Sequence, residues 1–376
     1  MLRIVIASVL ASFTSFTATQ PTVPASLPQT TAVAGQPQGQ GAGRGQGAAG
    51  RQGGRGPQTP EQIKARRDTE VQRQIVTDAT WAKAAEDVMT MEKTTYKSRV
   101  GGMTIPVFVF APLQPRGDKG HPAIVWVHPD IRGHVYEYYI PYVQEAVRRG
   151  YVVIAPEYRG SVGYGAEHYD AIDYGGAEVD DVLTAVDYLK TMPMVDPERI
   201  GIIGWSHGGM ITLLSAARET TTFKAAVAMV PVTNLFQRLA WKGVERQHMA
   251  IDPANRYGGL PNEQQDVYKE RSPLYQVDKL QIPVLVHVAR NDRDVNFEEA
   301  EQIVDALRSR KAALAETKIY DAPQGGHLFD RQYARVGQPT DLDYYTPTNT
   351  PEQRDSWNRV WTFLDWNLRP YQGSAR

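Results

Sequence analysis

The chain of 376 residues contains no cysteine. That excludes disulfides, thiolate metal sites, thiol nucleophiles and the cysteine that a lipid-anchored export signal needs. Stability has to come from a hydrophobic core, and 41% hydrophobic residues over this length suffice for one large domain or two modest ones. Charge of one sign is not in excess either, with 41 Lys and Arg against 42 Asp and Glu. A balanced surface exerts no general pull on nucleic acid or anionic membrane, so neither is expected as a partner. No apolar run reaches the roughly 20 residues of a spanning helix. Metal-ligand spacings such as H-E-x-x-H are missing, and no metal or organic cofactor is expected.

What is present begins with a targeting pattern. Arg3 gives a positive start, Ile4 to Phe16 is an apolar run of 13 residues, and small or polar residues follow. This reads as a cleaved signal peptide over residues 1–25, cut after Ala18 or Ala25. The expectation is export to the periplasm or beyond, with no stable membrane insertion after cleavage. Residues 26–59 belong to a Pro-, Gly-, Gln- and Ala-rich stretch that cannot bury enough surface to order itself, and read as a disordered tether. Arg44, Arg51 and Arg55 lie among its glycines; in an exported linker they solubilise rather than bind RNA. Thr59-Pro60-Glu61-Gln62 is a helix-start signature. It opens a polar extension over residues 60–92, whose helix is expected to run to about Thr77 with a thin apolar stripe of Ile63, Val71 and Ile75.

From residue 93 to 370 the pattern is that of one folded domain. Thr94–Val100 and Met103–Phe110 read as a hairpin turned at Gly101-Gly102. Ala123–Val127, Tyr151–Ala155, Ile200–Ile203, Ala225–Val230, Val284–Val288 and Thr317–Tyr320 read as strands. Glu178–Leu189, His207–Arg218, Phe297–Arg308 and Pro351–Leu368 read as helices. Short, continuously apolar strands separated by helices imply an α/β fold, with a mostly parallel central sheet covered on both faces.

Gly204-Trp205-Ser206-His207-Gly208 sits where a strand ends and a helix begins. This is the G-x-S-x-G nucleophile elbow, which marks the α/β-hydrolase fold and holds a serine hydroxyl exposed at the top of the sheet. By composition alone the motif occurs by accident in about one chain in ten of this length, so its partners decide its meaning. A serine needs a base, and the base needs an acid; in this fold the order is Ser, acid, His. Downstream lie His207 on the elbow, His248, His287 inside a strand, and His327 in a loop directly after one. His327 is therefore the expected base. The acid is expected in Asn291-Asp292-Arg293-Asp294 after the preceding strand, with Asp292 preferred over Asp294. The oxyanion needs donors: the backbone N–H of His207, and His128 after the strand Ala123–Val127, through its side chain or a neighbouring N–H. Because a histidine base works only when neutral, activity is expected to fall below about pH 6.5.

At these residues the sequence resembles the prolyl oligopeptidase family, in its catalytic domain. Arg159-Gly160-Ser161-Val162-Gly163-Tyr164-Gly165, Asp173-Tyr174-Gly175-Gly176 with Asp180-Asp181, Gly204-Trp205-Ser206-His207-Gly208-Gly209, Tyr257-Gly258-Gly259, Asn291-Asp292-Arg293-Asp294-Val295 and Gly326-His327 match in order. The resemblance spans residues 93 to 370. By position it implies that Val232, Leu235 and Val295 line the acyl-side pocket. Two departures stand out. About ninety mostly polar residues precede the domain where the family's peptidases carry a β-propeller, and His128-Pro129-Asp130 replaces a glycine-rich oxyanion loop.

The expectation is a serine hydrolase cleaving a peptide through an acyl-enzyme. The alternative is an esterase on small carboxylic esters, which an open site would favour; a further one is a non-catalytic binding protein on a hydrolase fold. Residues 331–350, rich in Tyr and Pro, are a candidate lid.

Overall fold

A computed structural model describes residues 59–115, 120–241, 257–338 and 341–370. The proposed signal segment, nearly all of the tether, and His248 lie outside the described residues.

Eight strands form one sheet: β1 Thr90–Lys97, β2 Thr104–Ala111, β3 His121–Val127, β4 Val152–Pro156, β5 Val195–Trp205, β6 Ala225–Met229, β7 Val284–Ala289 and β8 Ala315–Tyr320. Their order is β1-β2-β4-β3-β5-β6-β7-β8. The entry hairpin pairs antiparallel, as does β2 with β4, and every other pairing is parallel. Every residue of β3, β4 and β6 is buried, which is why these strands read as continuous apolar runs rather than alternating ones.

The helices are α1 Pro60–Ala85, α2 Ile140–Arg148, α3 Gly165–Asp170, α4 Ala177–Lys190, α5 His207–Arg218, α6 from residue 235, α7 Gln265–Glu270, α8 Phe297–Arg310 and α9 Pro351–Leu368. Successive strand residues point to opposite faces and so serve two cores. Val125 and Ile202 pack with Val182 of α4, Leu213 of α5 and Ile303 of α8. Trp126 and Ile203 pack on the other face with Val143 of α2, Trp357 and Val360 of α9, and Trp81 of α1. No described helix is long and apolar enough to cross a membrane.

The sequence reading leaves several elements unassigned or misplaced, α3, α6 and α7 among them. Helix α2 went unassigned, although Ile140, Val143 and Val147 bury one clear face. Helix α1 starts at the capping box of Thr59 and Gln62 but runs on to Ala85. Its expected stripe packs only in part, with Ile63 and Val71 half-buried and Ile75 60% exposed, whereas Gln74, Thr77, Trp81, Ala84 and Ala85 are buried. A helix held by its last two turns and by polar contacts leaves little apolar periodicity to read. Residues 333–347 hold a hairpin of β9 Tyr333–Arg335 and β10 Tyr345–Pro347, with Tyr333 stacked on Tyr138 at 5.6 Å between ring centroids.

Candidate active site

Strand β5 ends at Trp205 and α5 begins at His207, so Ser206 is the single residue of the turn. Its backbone has φ 54° and ψ −115°, a left-handed conformation that a side chain rarely adopts. Backbone bonds hold it there: its N–H donates to Met229 at 2.9 Å, and its carbonyl accepts from Met210 at 3.0 Å and Val232 at 3.1 Å. A Cβ at position 204 would lie 2.3 Å from the carbonyl oxygen of Gly208. One at 208 would lie 2.4 Å from the carbonyl oxygens of Val127 and His128. Both glycines are thus steric requirements, and the second brings the elbow against the end of β3.

Asp292 follows β7 and His327 follows β8, so both leave the C-terminal ends of parallel strands on the same sheet edge as Ser206. His327 Nδ1 donates to Asp292 Oδ2 at 2.7 Å. The other carboxylate oxygen accepts from the backbone N–H of Asp294 at 2.8 Å and of Val295 at 2.9 Å. Of the two aspartates weighed, Asp292 is the one bonded to the histidine. That bond assigns the proton to Nδ1 and leaves Nε2 as the acceptor of a neutral ring. Among the described residues Ser206 and His327 share no hydrogen bond, a looseness common in sites without substrate. His287 is a fully buried strand residue bonded to Ser356 Oγ at 2.9 Å.

The loop after β3 corrects one expectation. The His128 ring is fully buried, stacked on Tyr158, with Nδ1 2.9 Å from the carbonyl of Pro129 and Nε2 2.9 Å from Ser161 Oγ. Burial lowers its pKa to about 3, so the ring is neutral at ordinary pH. In that form the one ring proton sits on Nδ1, which donates to Pro129, and Nε2 faces Ser161 Oγ, whose own hydroxyl donates to the carbonyl of Tyr158 at 2.6 Å. The ring then has no N–H left for an oxyanion, and only the backbone form of the expectation stands. His207 heads α5, so its N–H has no intrahelical acceptor. Its side chain turns away, with Nε2 3.1 Å from Glu178 Oε1.

The remaining motifs brace these loops. Arg159 holds Asp181 through Nε at 2.8 Å and Nη2 at 2.7 Å. Gly160, at φ 98°, passes so close to Ile131 that a Cβ would sit 2.8 Å from its carbonyl oxygen. Val232, Leu235 and Val295 are at most 1% exposed and belong to the core around α5 and α8. Among the described residues no group of acidic and histidine side chains could hold a metal ion.

Sequence reasoning missed three contacts. The Trp205 indole donates to the Asp330 carboxylate, Glu178 receives the His207 ring, and Trp81 of α1 donates to the carbonyl of Val135 at 3.0 Å in the segment following the His128 loop. Each is a long-range pairing with no local signature, though an aspartate three residues beyond a candidate base was visible.

Comparison with known proteins shows what this arrangement is similar to. A match to the prolyl oligopeptidase family covers residues 138–346. The uncharacterized peptidase YuxL of Bacillus subtilis is 31% identical over 245 residues, 63% of this chain and 35% of its own length. Dipeptidyl aminopeptidase BIII of Pseudoxanthomonas mexicana is 27% identical, over 62% of this chain and 34% of its own. The chain spans between 24% and 35% of the length of four of the curated relatives it matches. Among solved structures, a puromycin-hydrolyzing peptidase of Mycobacterium tuberculosis superposes with a TM-score of 0.60 at 23% identity, covering 76% of this chain and 40% of that one. The acylaminoacyl peptidase of Pyrococcus horikoshii gives 0.60 at 19% identity, over 79% and 44%. These likenesses support the α/β-hydrolase fold. With more than half of its length matched on that fold, the chain belongs to the prolyl oligopeptidase family.

Proposed function

We propose that the chain is a serine peptidase working through an acyl-enzyme. Ser206 attacks the scissile carbonyl while His327 Nε2 takes its proton and later returns it to the leaving amine. Asp292 keeps the imidazole in the required tautomer and stabilises the imidazolium as it forms. The N–H of His207 and a backbone N–H of the loop after β3 receive the oxyanion. The observation that carries this reading is the 2.7 Å bond from His327 to Asp292, on the same sheet edge as a serine in strained backbone. Family membership supports a peptide as substrate, with small carboxylic esters as the second candidate.

The test is chemical labelling. A fluorophosphonate should modify Ser206, mapped by mass spectrometry, and the Ser206→Ala variant should take no label. A wild-type chain that stays unlabelled would favour a binding protein on this fold. In parallel, peptidyl arylamides and short p-nitrophenyl esters should both be offered, and ester turnover without amide turnover would move the reading to an esterase.

A further inference from the structure

The wall beside Ser206 contains a cation whose donors are largely unspent. Arg238 lies on α6, in the segment that begins at Val232, whose N–H donates to the carbonyl of Ser206. Among the described residues its guanidinium makes one hydrogen bond, from Nη1 to the backbone carbonyl of Asp294 at 3.2 Å. Asp294 stands in the loop that carries Asp292. The guanidinium also lies in the field of the phenols of Tyr174 and Tyr257, whose rings are 4.9 Å apart. Tyr174 stands edge-on to the ring of His207 at 4.5 Å, on the side of the elbow where that ring turns toward Glu178.

Three arginines of the domain, Arg159, Arg271 and Arg331, are each paired with a carboxylate, of Asp181, Asp173 and Asp330. Arg238 is not. The carboxylates of Glu299 and Asp294 both lie in its field, but among the described residues neither bonds the guanidinium: Glu299 directs Oε1 to the backbone N–H groups of Thr233 at 2.6 Å and Asn234 at 3.1 Å, and Asp294 meets Arg238 through its backbone carbonyl. Arg238 is also partly exposed, while Val232 and Leu235 of its own segment and Val295, next to Asp294 in sequence, are at most 1% exposed. What this wall offers an incoming group is therefore a fork of charged N–H donors beside two phenols.

We propose that Arg238 makes the pocket beside Ser206 selective for a carboxylate, namely the acidic side chain of the residue that supplies the scissile carbonyl. The proposal rests on the serine peptidase reading above. Charge-assisted, bidentate bonds to the guanidinium would hold a Glu or Asp side chain. A neutral amide of the same shape would leave the cation unmatched, and a lysine would be repelled. A free terminal carboxylate on the leaving segment presents the same chemistry from another source.

Dipeptidyl arylamides with Glu, Gln or Lys at the residue before the scissile bond would test this, beside a neutral peptide with a free or amidated C-terminus. The expected kcat/KM favours Glu over Gln by about 10-fold to 100-fold, with Lys lowest. Arg238→Gln should collapse the Glu-to-Gln ratio to near unity, and Arg238→Glu should turn the preference toward Lys. Fluorophosphonate labelling of Ser206 in the same wild-type preparation separates the two levels of inference. A labelled enzyme with equal turnover of Glu and Gln overturns the role of Arg238 and leaves the peptidase reading standing. Discrimination keyed only to the free C-terminus overturns the side-chain assignment. No label and no turnover would remove both.

Discussion

The indole N–H of Trp205 donates to the carboxylate of Asp330, so the residue before Ser206 is tied to the turn that begins beside His327. Asp330 is fully buried, with Arg331 as its ion-pair partner at 3.0 Å. Burial pushes its carboxyl pKa up, and Arg331 and the Trp205 bond pull it back toward the charged form. Its backbone carbonyl accepts from the Trp357 indole at 2.6 Å, which fastens the same turn to α9.

Removing either half of that tie should be costly. Trp205→Phe keeps an aromatic ring but removes the indole N–H and leaves a buried carboxylate oxygen short of a donor, a loss of about 1–3 kcal/mol. Asp330→Ala strands Arg331 in the interior and should cost about 3–5 kcal/mol. Urea denaturation monitored by tryptophan fluorescence of the Asp330 variant reads the second figure directly. A change within about 0.5 kcal/mol, the size of an ordinary surface substitution, would show that the pair carries no such weight.

The polar layer behind the oxyanion loop predicts a pH effect on stability. Burial lifts Glu157 to about 8 and lowers His128 to about 3, so between those values both are neutral and their 3.6 Å contact is not an ion pair. Unfolded, Glu157 would titrate near its ordinary value of 4.5. Its contribution is therefore full below about pH 4.5 and is lost as pH rises to about 8. His128 acts the other way, with its contribution lost as pH falls below about 6.5. Glu157→Gln should flatten the decline of unfolding free energy between about pH 5 and 8. Parallel curves for variant and wild type would contradict the assigned protonation.

Helix α1 should matter to both folding and rate. Trp81 is fully buried against Phe110 at 4.7 Å, and its indole bonds the carbonyl of Val135. Trp81→Ala should cost about 3–5 kcal/mol by leaving a cavity. Trp81→Phe keeps most of the packing and should cost about 1 kcal/mol, with kcat lowered because the loop after β3 loses an anchor. A Phe variant with wild-type stability and rate would show that the contact is incidental.

Much of this was legible in the sequence, and the reason differs by element. The parallel strands announced themselves because burial on both faces demands apolar runs such as Ile200–Ile203. Ser206 was legible because the steric limits of the elbow are written as glycines on either side of it. Asp292 over Asp294 could be argued from chain order but needed the observed bond to His327 to decide it. The His128 ring could not be read, since its commitment to Pro129 and Ser161 depends on a fold that brings residues 128 and 161 together. The reach of α1 was hidden for a related cause. Thr77 meets Glu137 and Trp81 meets Val135 across more than fifty residues of chain, and neither pairing leaves a periodic trace.

The strand order has a practical consequence for anyone shortening this protein. The match to the family model begins at residue 138, yet β3 ends at Val127 and lies between β4 and β5 near the middle of the sheet. A gene fragment cut where that match starts would delete an interior plank, and β4 and β5 would face each other across a gap. The limits of the matched segment are not the limits of the folded sheet. An expressible fragment has to reach back at least through β1, and through Trp81 if the helix that supports the loop after β3 is to be kept.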